Sequence, residues 1–370
     1  MRTHSSVHTI DTPVAPRRLR VLHVMTRMVT GGTERQLVGM LRAAHGRQWD
    51  AHLCVLYRGY ALADEVAGFM PVTQLPYTSA ADPRRLVAVR RLAREVGADV
   101  VHPSLWGAGW FTRVSLAGPR RPAVVMSERG VEDFRPSWTR LVNAALRPMT
   151  DRWIGNSDDV VEFIRRAHGA PLPWITSVPN GIDTDVYRPS TAAFRSAAGP
   201  RIGGVGRLVP TKGWDVAIAA LSRVLSVFPN ASLRIAGEGP ERDALRAAGA
   251  GLPVKLVGLL PTPQAVADFM RDLDVFVLPS HSEGMPNVVL EAQACAVPVV
   301  ATDAPGIAQA LGPTAAVVPA GDPVALADGI VDTLRSLHRP DPIVAQTFDD
   351  VARQHLAVFE AAVASRDGVR

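Results

Sequence analysis

Hydrophobic positions along the chain fall into two alternating kinds of segment. Short unbroken apolar runs rich in Val, Ile and Leu read as strands covered on both faces. Longer stretches with apolar residues every three or four positions read as helices packed over them. The runs at 19–25, 51–57, 98–103, 122–127, 152–157 and 174–180 predict strands, with helical patterns at 33–45, 83–96, 137–147 and 158–168 between them. A stretch bearing Pro and Ser at 179–200 interrupts the rhythm, which then restarts. Strands are predicted at 201–206, 231–237, 253–258, 273–280, 297–302 and 314–320, and helices at 213–228, 241–249, 286–295 and 323–338, with a final amphipathic pattern at 349–364. The alternation is that of two doubly wound α/β domains in tandem. The boundaries it predicts are a loose leader over 1–18, a first domain over 19–180 and a hinge over 181–200. A second domain follows over 201–345, and a closing helical segment over 346–370. Open sheets of this kind bind ligands beyond the carboxyl ends of their strands, so chemistry is expected in the loops that follow strands and in a cleft between the domains.

Composition narrows the class. At 370 residues and 47% hydrophobic, the chain is large enough for two cores and too apolar to be disordered. No apolar run approaches the roughly 20 residues needed to cross a bilayer, and the first eighteen residues lack the apolar core of a signal peptide. Cys54 and Cys295 stand in separate halves in apolar settings, which predicts reduced, buried thiols and a cytoplasmic setting. The net charge of +5 is unevenly spread: up to residue 180 there are 24 arginines against 15 acidic residues, and the rest of the chain is net acidic. A basic first half suits an anionic partner, such as an anionic membrane surface or a phosphorylated acceptor, while solvated arginine-rich helix faces account for much of it. The charge is dispersed and no nucleic-acid-binding motif is present, so nucleic acid is not an expected partner.

Several strand-end loops carry candidate chemistry. RMVTGGTERQ (27–36) places Gly31 and Gly32 before a helix, where bare amides can approach a phosphate or sugar hydroxyl, and Thr33 with Gln36 forms a capping-box pattern. It is not a GxGxxG dinucleotide fingerprint, which disfavours a dehydrogenase. GRLVPTKG (206–213) sets Gly206, Arg207 and Lys212 around a helix start, two cations and a helix end converging where a pyrophosphate would sit. GEGP (237–240) offers Gly237 and Glu238 at a bend, with Pro240 suited to a first helical position. HSEGMPNVVLE (281–291) places Glu283 in a strand-end loop and Glu291 about one turn into the next helix, with Gly284, Met285, Pro286 and Asn287 between them. Two carboxylates around a helix start suit sugar and ribose hydroxyls. His102 closes the strand ADVVH, where it either faces the cleft or serves as an ordinary interior imidazole. Glu128, Arg129, Asn156, Ser157, Asn180 and Gly181 end other strands, with Gly181 expected at positive φ. Trp106 and Trp110, in the expected loop 104–110, suit either an acceptor sugar or helix packing; the other expected acceptor loop is 58–63.

Together, GGTER (31–35), NSDDV (156–160), PNGID (179–183), GRLVPTKG, GEGP and SEGMPNVVLEA (282–292) resemble the retaining glycosyltransferases of the family 4 group. The resemblance spans roughly 19–365 and implies the GT-B fold, two Rossmann-like domains facing across a cleft. It implies transfer of a sugar from a UDP- or GDP-sugar to a hydroxyl of a glycan or lipid-linked acceptor, with no cofactor and no metal. Arg207 and Lys212 would neutralise the diphosphate, Glu283 would bind the donor sugar, Glu291 the ribose diol, and His102 would touch the donor sugar from the first domain. The backbone at Gly31 and Gly32 would meet the phosphates on closure, and the last helix would cross back to the first domain. Rival readings are a non-hydrolysing nucleotide-sugar epimerase and a non-catalytic nucleotide-sugar-binding protein.

Overall fold

The computed structural model describes residues 17–76, 82–118, 120–131, 138–190, 199–336 and 340–367. Nearly all of the expected leader, residues 191–198 of the expected hinge and the last three residues lie outside that set.

Seven strands form the first sheet: β1 (Arg20–Met25), β2 (Asp50–Val55), β3 (Val72–Gln74), β4 (Val100–Pro103), β5 (Ala123–Glu128), β6 (Arg152–Gly155) and β7 (Ile175–Ser177). Their spatial order is β3-β2-β1-β4-β5-β6-β7, every pairing parallel. The second sheet comprises β8 (Arg201–Val205), β9 (Ser232–Ala236), β10 (Val254–Gly258), β11 (Val275–Leu278), β12 (Val299–Thr302) and β13 (Ala316–Val318), ordered β10-β9-β8-β11-β12-β13 and also parallel. Both sheets therefore reverse strand order beside their first strand, which opens a crevice at the carboxyl edge.

Helices α1 (Gly32–Ala44), α2 (Ala61–Ala67), α3 (Arg84–Glu95), α4 (Leu105–Ser115), α5 (Trp138–Leu146) and α6 (Asp158–His168) cover the first sheet. The second carries α7 (Trp214–Val227), α8 (Arg242–Ala248), α9 (Pro263–Arg271), α10 (Asn287–Ala294) and α11 (Pro323–Arg335). Helix α12 (Phe348–Asp367) closes the chain, and its Val351, Ala352, Val358, Phe359 and Ala362 join the core of the first sheet beside α1 and β5. The two passages between the sheets lie side by side, with Ile182 N–H donating to the Gln346 carbonyl at 3.0 Å. Cys54 and Cys295 are both buried thiols, as their apolar surroundings predicted.

The structure departs from the sequence pattern at several places. β3, α2, α4 and α9 were not expected; β3 is three residues long, too short for a recognisable apolar run. Residues 104–110, expected as a loop, open α4, and Trp106 donates to Asn143 Oδ1 at 3.0 Å while Trp110 packs edge-on to Phe111. Much of the expected loop 58–63 is likewise the start of α2. Pro240 sits in a turn before α8, whose N-cap is Glu241. The capping box at α1 does not form: Gly31 is the N-cap and receives no side-chain bond. Gln36 instead clasps Gly181, accepting from its N–H at 3.0 Å and donating to its carbonyl at 2.9 Å. Gly181 has no positive φ; a Cβ there would sit 2.8 Å from Val351 Cγ2, so what excludes a side chain is the close approach of α12.

Candidate active site

Loops from the carboxyl edges of both sheets enclose one cleft of about 690 Å³. Thirteen of the fourteen candidate residues line it: Gly31, Gly32, Gly206, Arg207, Lys212, Gly237, Glu238, Glu283, Gly284, Met285, Pro286, Asn287 and Glu291. The fourteenth is His102, which is wholly buried. On β4 it stands beside His23 of β1, its Nδ1 2.9 Å from His23 Nδ1 and its Nε2 2.7 Å from Ser127 Oγ. Trp49 Nε1 donates to His23 Nε2 at 3.1 Å, so His23 donates from Nδ1 and His102 must accept there and donate from Nε2. His355 and Phe359 of α12 pack against the His102 ring. His102 is therefore an interior imidazole beneath the closing helix, away from the cleft lining where contact with the donor sugar was expected.

Lys212 ends a 3-10 turn (Pro210–Lys212) after β8, and Gly213 behind it adopts φ +62° at a place where a Cβ would also lie 2.1 Å from the Pro279 carbonyl oxygen. That turn aims Lys212 at Glu283, with which it forms an ion pair through Nζ and Oε1. Ser280 Oγ donates to the same oxygen at 2.7 Å, and the Glu283 N–H is held by the Pro305 carbonyl at 3.0 Å. Arg207 is exposed at the cleft rim and, among the described residues, forms no ion pair. Its charge reaches the buried Glu34 of α1, where burial raises the carboxyl pKa and a backbone hydrogen bond and then Arg207 oppose the rise. Glu238 pairs with Arg242 at 2.7 Å.

Glu291 lies in the second turn of α10, and burial pushes its pKa up to about 7 despite a hydrogen bond from Tyr187. Tyr187, itself nearly buried, pays the same desolvation, and the carboxylate beside it raises its phenol further.

A chain of hydrogen bonds crosses the cleft. Arg129 Nη1 donates to Asn180 Oδ1 at 2.9 Å, Asn180 Nδ2 to Asn287 Oδ1 at 2.6 Å, and Asn287 Nδ2 to the Gly32 carbonyl at 3.0 Å. Arginine can only donate and a carbonyl can only accept, so both amides are fixed in orientation by their ends. Gly284 completes the contact: a Cβ there would lie 2.4 Å from the Arg129 carbonyl oxygen.

The cleft therefore combines an unpaired cation, a lysine–glutamate pair, a carboxyl poised near neutrality and bare loop amides, from two sheets locked across it. Residues 30–186 match the family described as Glycosyltransferase Family 4, and residues 199–336 match Glycosyl transferases group 1. The chain is a glycosyltransferase of the GT-B fold. Over 305 residues it is 29% identical to a D-inositol 3-phosphate glycosyltransferase of Acidothermus cellulolyticus, covering 74% of this chain and 68% of that protein. Over 231 residues it is 31% identical to a GDP-mannose-dependent monoacylated alpha-(1-6)-phosphatidylinositol monomannoside mannosyltransferase of Corynebacterium glutamicum, covering 55% of this chain and 59% of that one. The glycosyltransferase also shares its fold with Anabaena HepE, solved in complex with UDP and glucose, at a TM-score of 0.74 and 19% identity over 95% of this chain and 99% of that one.

Arg129, Asn180 and Tyr187 received no role from the sequence. The first two end strands and were visible as such; Tyr187 lies four residues beyond PNGID and carried no signal of its own. Among the described residues no helix is long and apolar enough to cross a membrane, and no cluster of three His, Cys, Asp or Glu side chains could hold a metal ion.

Proposed function

We propose that this glycosyltransferase moves a sugar from a UDP- or GDP-sugar to a hydroxyl of a glycan or lipid-linked acceptor, with retention of configuration. The observation that carries the reading is the placement of Arg207 and the Lys212–Glu283 pair on strand-end loops of the second sheet, in the same cleft as Gly31 and Gly32 of the first. The second unit, 201–345, would hold the donor, the first, 19–180, the acceptor, and 181–200 would serve as hinge, with the closing segment 346–370 riding on the first unit.

In this reading Arg207 and Lys212 take the diphosphate and neutralise charge as it builds on the leaving group, supplying the neutralisation for which other transferases use a metal. Glu283, released in part from Lys212, accepts hydrogen bonds from donor-sugar hydroxyls, and Glu291 accepts from the ribose diol. The loop amides at Gly31 and Gly32 approach the phosphates from the opposite sheet, and the Arg129–Asn180–Asn287–Gly32 chain holds the closed form that keeps water from the donor. Departure and attack on one face of the sugar, with the leaving phosphate taking the acceptor proton, accounts for retention without a protein nucleophile. The basic first half favours work at an anionic membrane surface from the cytoplasmic side.

The test is a donor screen, with UDP-, GDP-, ADP- and TDP-sugars added singly, thermal shift reporting binding and nucleotide release reporting turnover. A UDP- or GDP-sugar should raise the melting temperature in wild type and fail to do so in Arg207→Gln. Interconversion of the donor without an acceptor would favour an epimerase, and no binding of any nucleotide sugar would overturn the reading.

A further inference from the structure

Arg129 is a charged group of the cleft lining with only a structural task in the proposed transfer. Arg129 follows β5 on the first sheet, and its Nη1 is used by Asn180. Its Nε is sealed from water and has no partner, and among the described residues Nη2 makes no hydrogen bond. These two nitrogens form one edge of the guanidinium, the side-on fork whose parallel N–H bonds match two oxygens of a phosphate or carboxylate. Among the described residues no carboxylate pairs with Arg129. The titratable groups near it are His102 and His355, both held neutral by burial, so neither supplies a counter-charge. Burial without a counter-ion also pulls the pKa of Arg129 down to about 10. A cation enclosed in this way costs stability unless an anion completes it.

A second unmet group lies beside it. Asn156, at the end of β6, turns Nδ2 toward Asn180 Oδ1 at 3.5 Å and leaves its own Oδ1 without a donor. Both residues line the cleft from the acceptor side, whereas Arg207 and Lys212 line it from the donor side. A ligand that satisfies both carries an anion for the arginine fork and a hydroxyl that donates to Asn156 Oδ1.

Resting on the transferase reading of this cleft, we propose that Arg129 is the anion-holding residue of the acceptor subsite, and that the acceptor carries a phosphate ester close to a free hydroxyl. The ester comes either from a free phosphorylated polyol or from a phospholipid headgroup.

The experiment is isothermal titration of the full chain, first with UDP and GDP, then with phosphorylated probes in the presence of whichever nucleotide saturates the donor side. The probes are glycerol 3-phosphate against glycerol, and vesicles of phosphatidylcholine with or without phosphatidylinositol. Glycerol 3-phosphate should bind wild type at least tenfold more tightly than glycerol. Arg129→Gln should remove that preference when each protein is titrated at a nucleotide concentration that saturates it. Arg129→Lys, which keeps the charge and loses the fork, should weaken the probe at least threefold and serves if the Gln variant does not fold. Preferential binding of phosphatidylinositol vesicles that depends on Arg129 would identify a headgroup as the source, and binding confined to glycerol 3-phosphate a free polyol. Probe binding indifferent to both substitutions would overturn the proposal alone. A tenfold loss of nucleotide affinity in Arg129→Gln would reassign the residue to the donor diphosphate. Failure of wild type to bind any nucleotide would overturn the transferase reading and the acceptor assignment with it.

Discussion

Glu291→Gln should make the protein more stable at alkaline pH and worse at binding nucleotide, and the two effects have one cause. Burial raises the Glu291 pKa from 4.5 to about 7. At roughly 1.36 kcal/mol per pKa unit this difference amounts to about 3 kcal/mol against the ionised folded state. The sign follows from proton counting. Between 4.5 and about 7 the unfolded chain has released this proton while the folded protein still holds it. Stability therefore falls as pH rises through that window, and the loss is complete above it. Glutamine keeps an acceptor for Tyr187 and removes the charge. At pH 8 the variant should gain roughly 1–3 kcal/mol, a rise of about 2–8 °C in melting temperature for domains of this size. Near pH 5 its advantage should shrink to about 1 kcal/mol or less. The comparison is between variant and wild type at each pH, so other titrating groups cancel. A carboxylate accepts both hydroxyls of a ribose diol where an amide accepts only one, so nucleotide affinity should drop about tenfold, in line with the worth of a hydrogen bond to a charged acceptor. Scanning calorimetry at pH 5 and 8, with titration of UDP or GDP at pH 8, measures both. A melting temperature that falls in the variant at pH 8, or an advantage that does not change with pH, would refute the argument from burial.

Lys212→Ala should cut turnover by roughly 10²-fold, because it removes charge stabilisation at the leaving group; near-normal rates would end its assigned role. Gly284→Ala should lower kcat more than tenfold with little change in nucleotide affinity, since its Cβ would meet the Arg129 carbonyl at 2.4 Å and prop the cleft open. His102→Gln should cost stability yet leave nucleotide affinity within threefold, and a tenfold loss would return His102 to the site. Burial lowers the pKa values of His23 and His355 from 6.5 to about 3, with His102 also far below its ordinary value. The unfolded chain therefore takes up these protons first, and stability should fall as pH drops below 6.5, approaching roughly 4 kcal/mol per pH unit for three protons. A flat denaturation profile between pH 6.5 and 5 would contradict the buried neutral triad.

Most of the site was legible because parallel strands buried on both faces are unmistakable in sequence, and the loops at their carboxyl ends must then face one crevice. GRLVPTKG and SEGMPNVVLE could be assigned to that crevice without knowing how the two halves meet. What could not be read was which charged groups pair when no ligand is present. Lys212 and Glu283 are 71 residues apart, and their ion pair depends on the turn at Gly213 and on the packing of Gly306 against the Glu283 carbonyl. Gln36 shows the same limit. Its spacing from Thr33 fits a local cap, yet 145 residues away Gly181 offers both a donor and an acceptor to its amide, and the long-range pair forms instead.

His102 shows why the end of a strand is weaker evidence than the loop beyond it. Within a strand, successive side chains alternate between the two faces of the sheet, so a terminal residue points into a helix layer as readily as toward the cleft. Its face is decided by what covers the sheet, and here that is α12, from the far end of the chain. The register sets His102 level with His23, and α12 brings His355 and Phe359 over both rings. Trp49 then fixes the tautomer of His23, and through it that of His102. Arg129 lies just past the end of β5, where the alternation no longer governs direction, and its guanidinium turns over the strand edge into the cleft. A position just past the strand, rather than within it, separates an arginine that lines the cleft from a histidine packed beneath the closing helix. The same reasoning places Asn156, just beyond β6, and Asn180, three residues past β7, on the cleft side, and makes the Arg129–Asn180–Asn287–Gly32 chain a consequence of four loops meeting between the carboxyl edges of the two sheets.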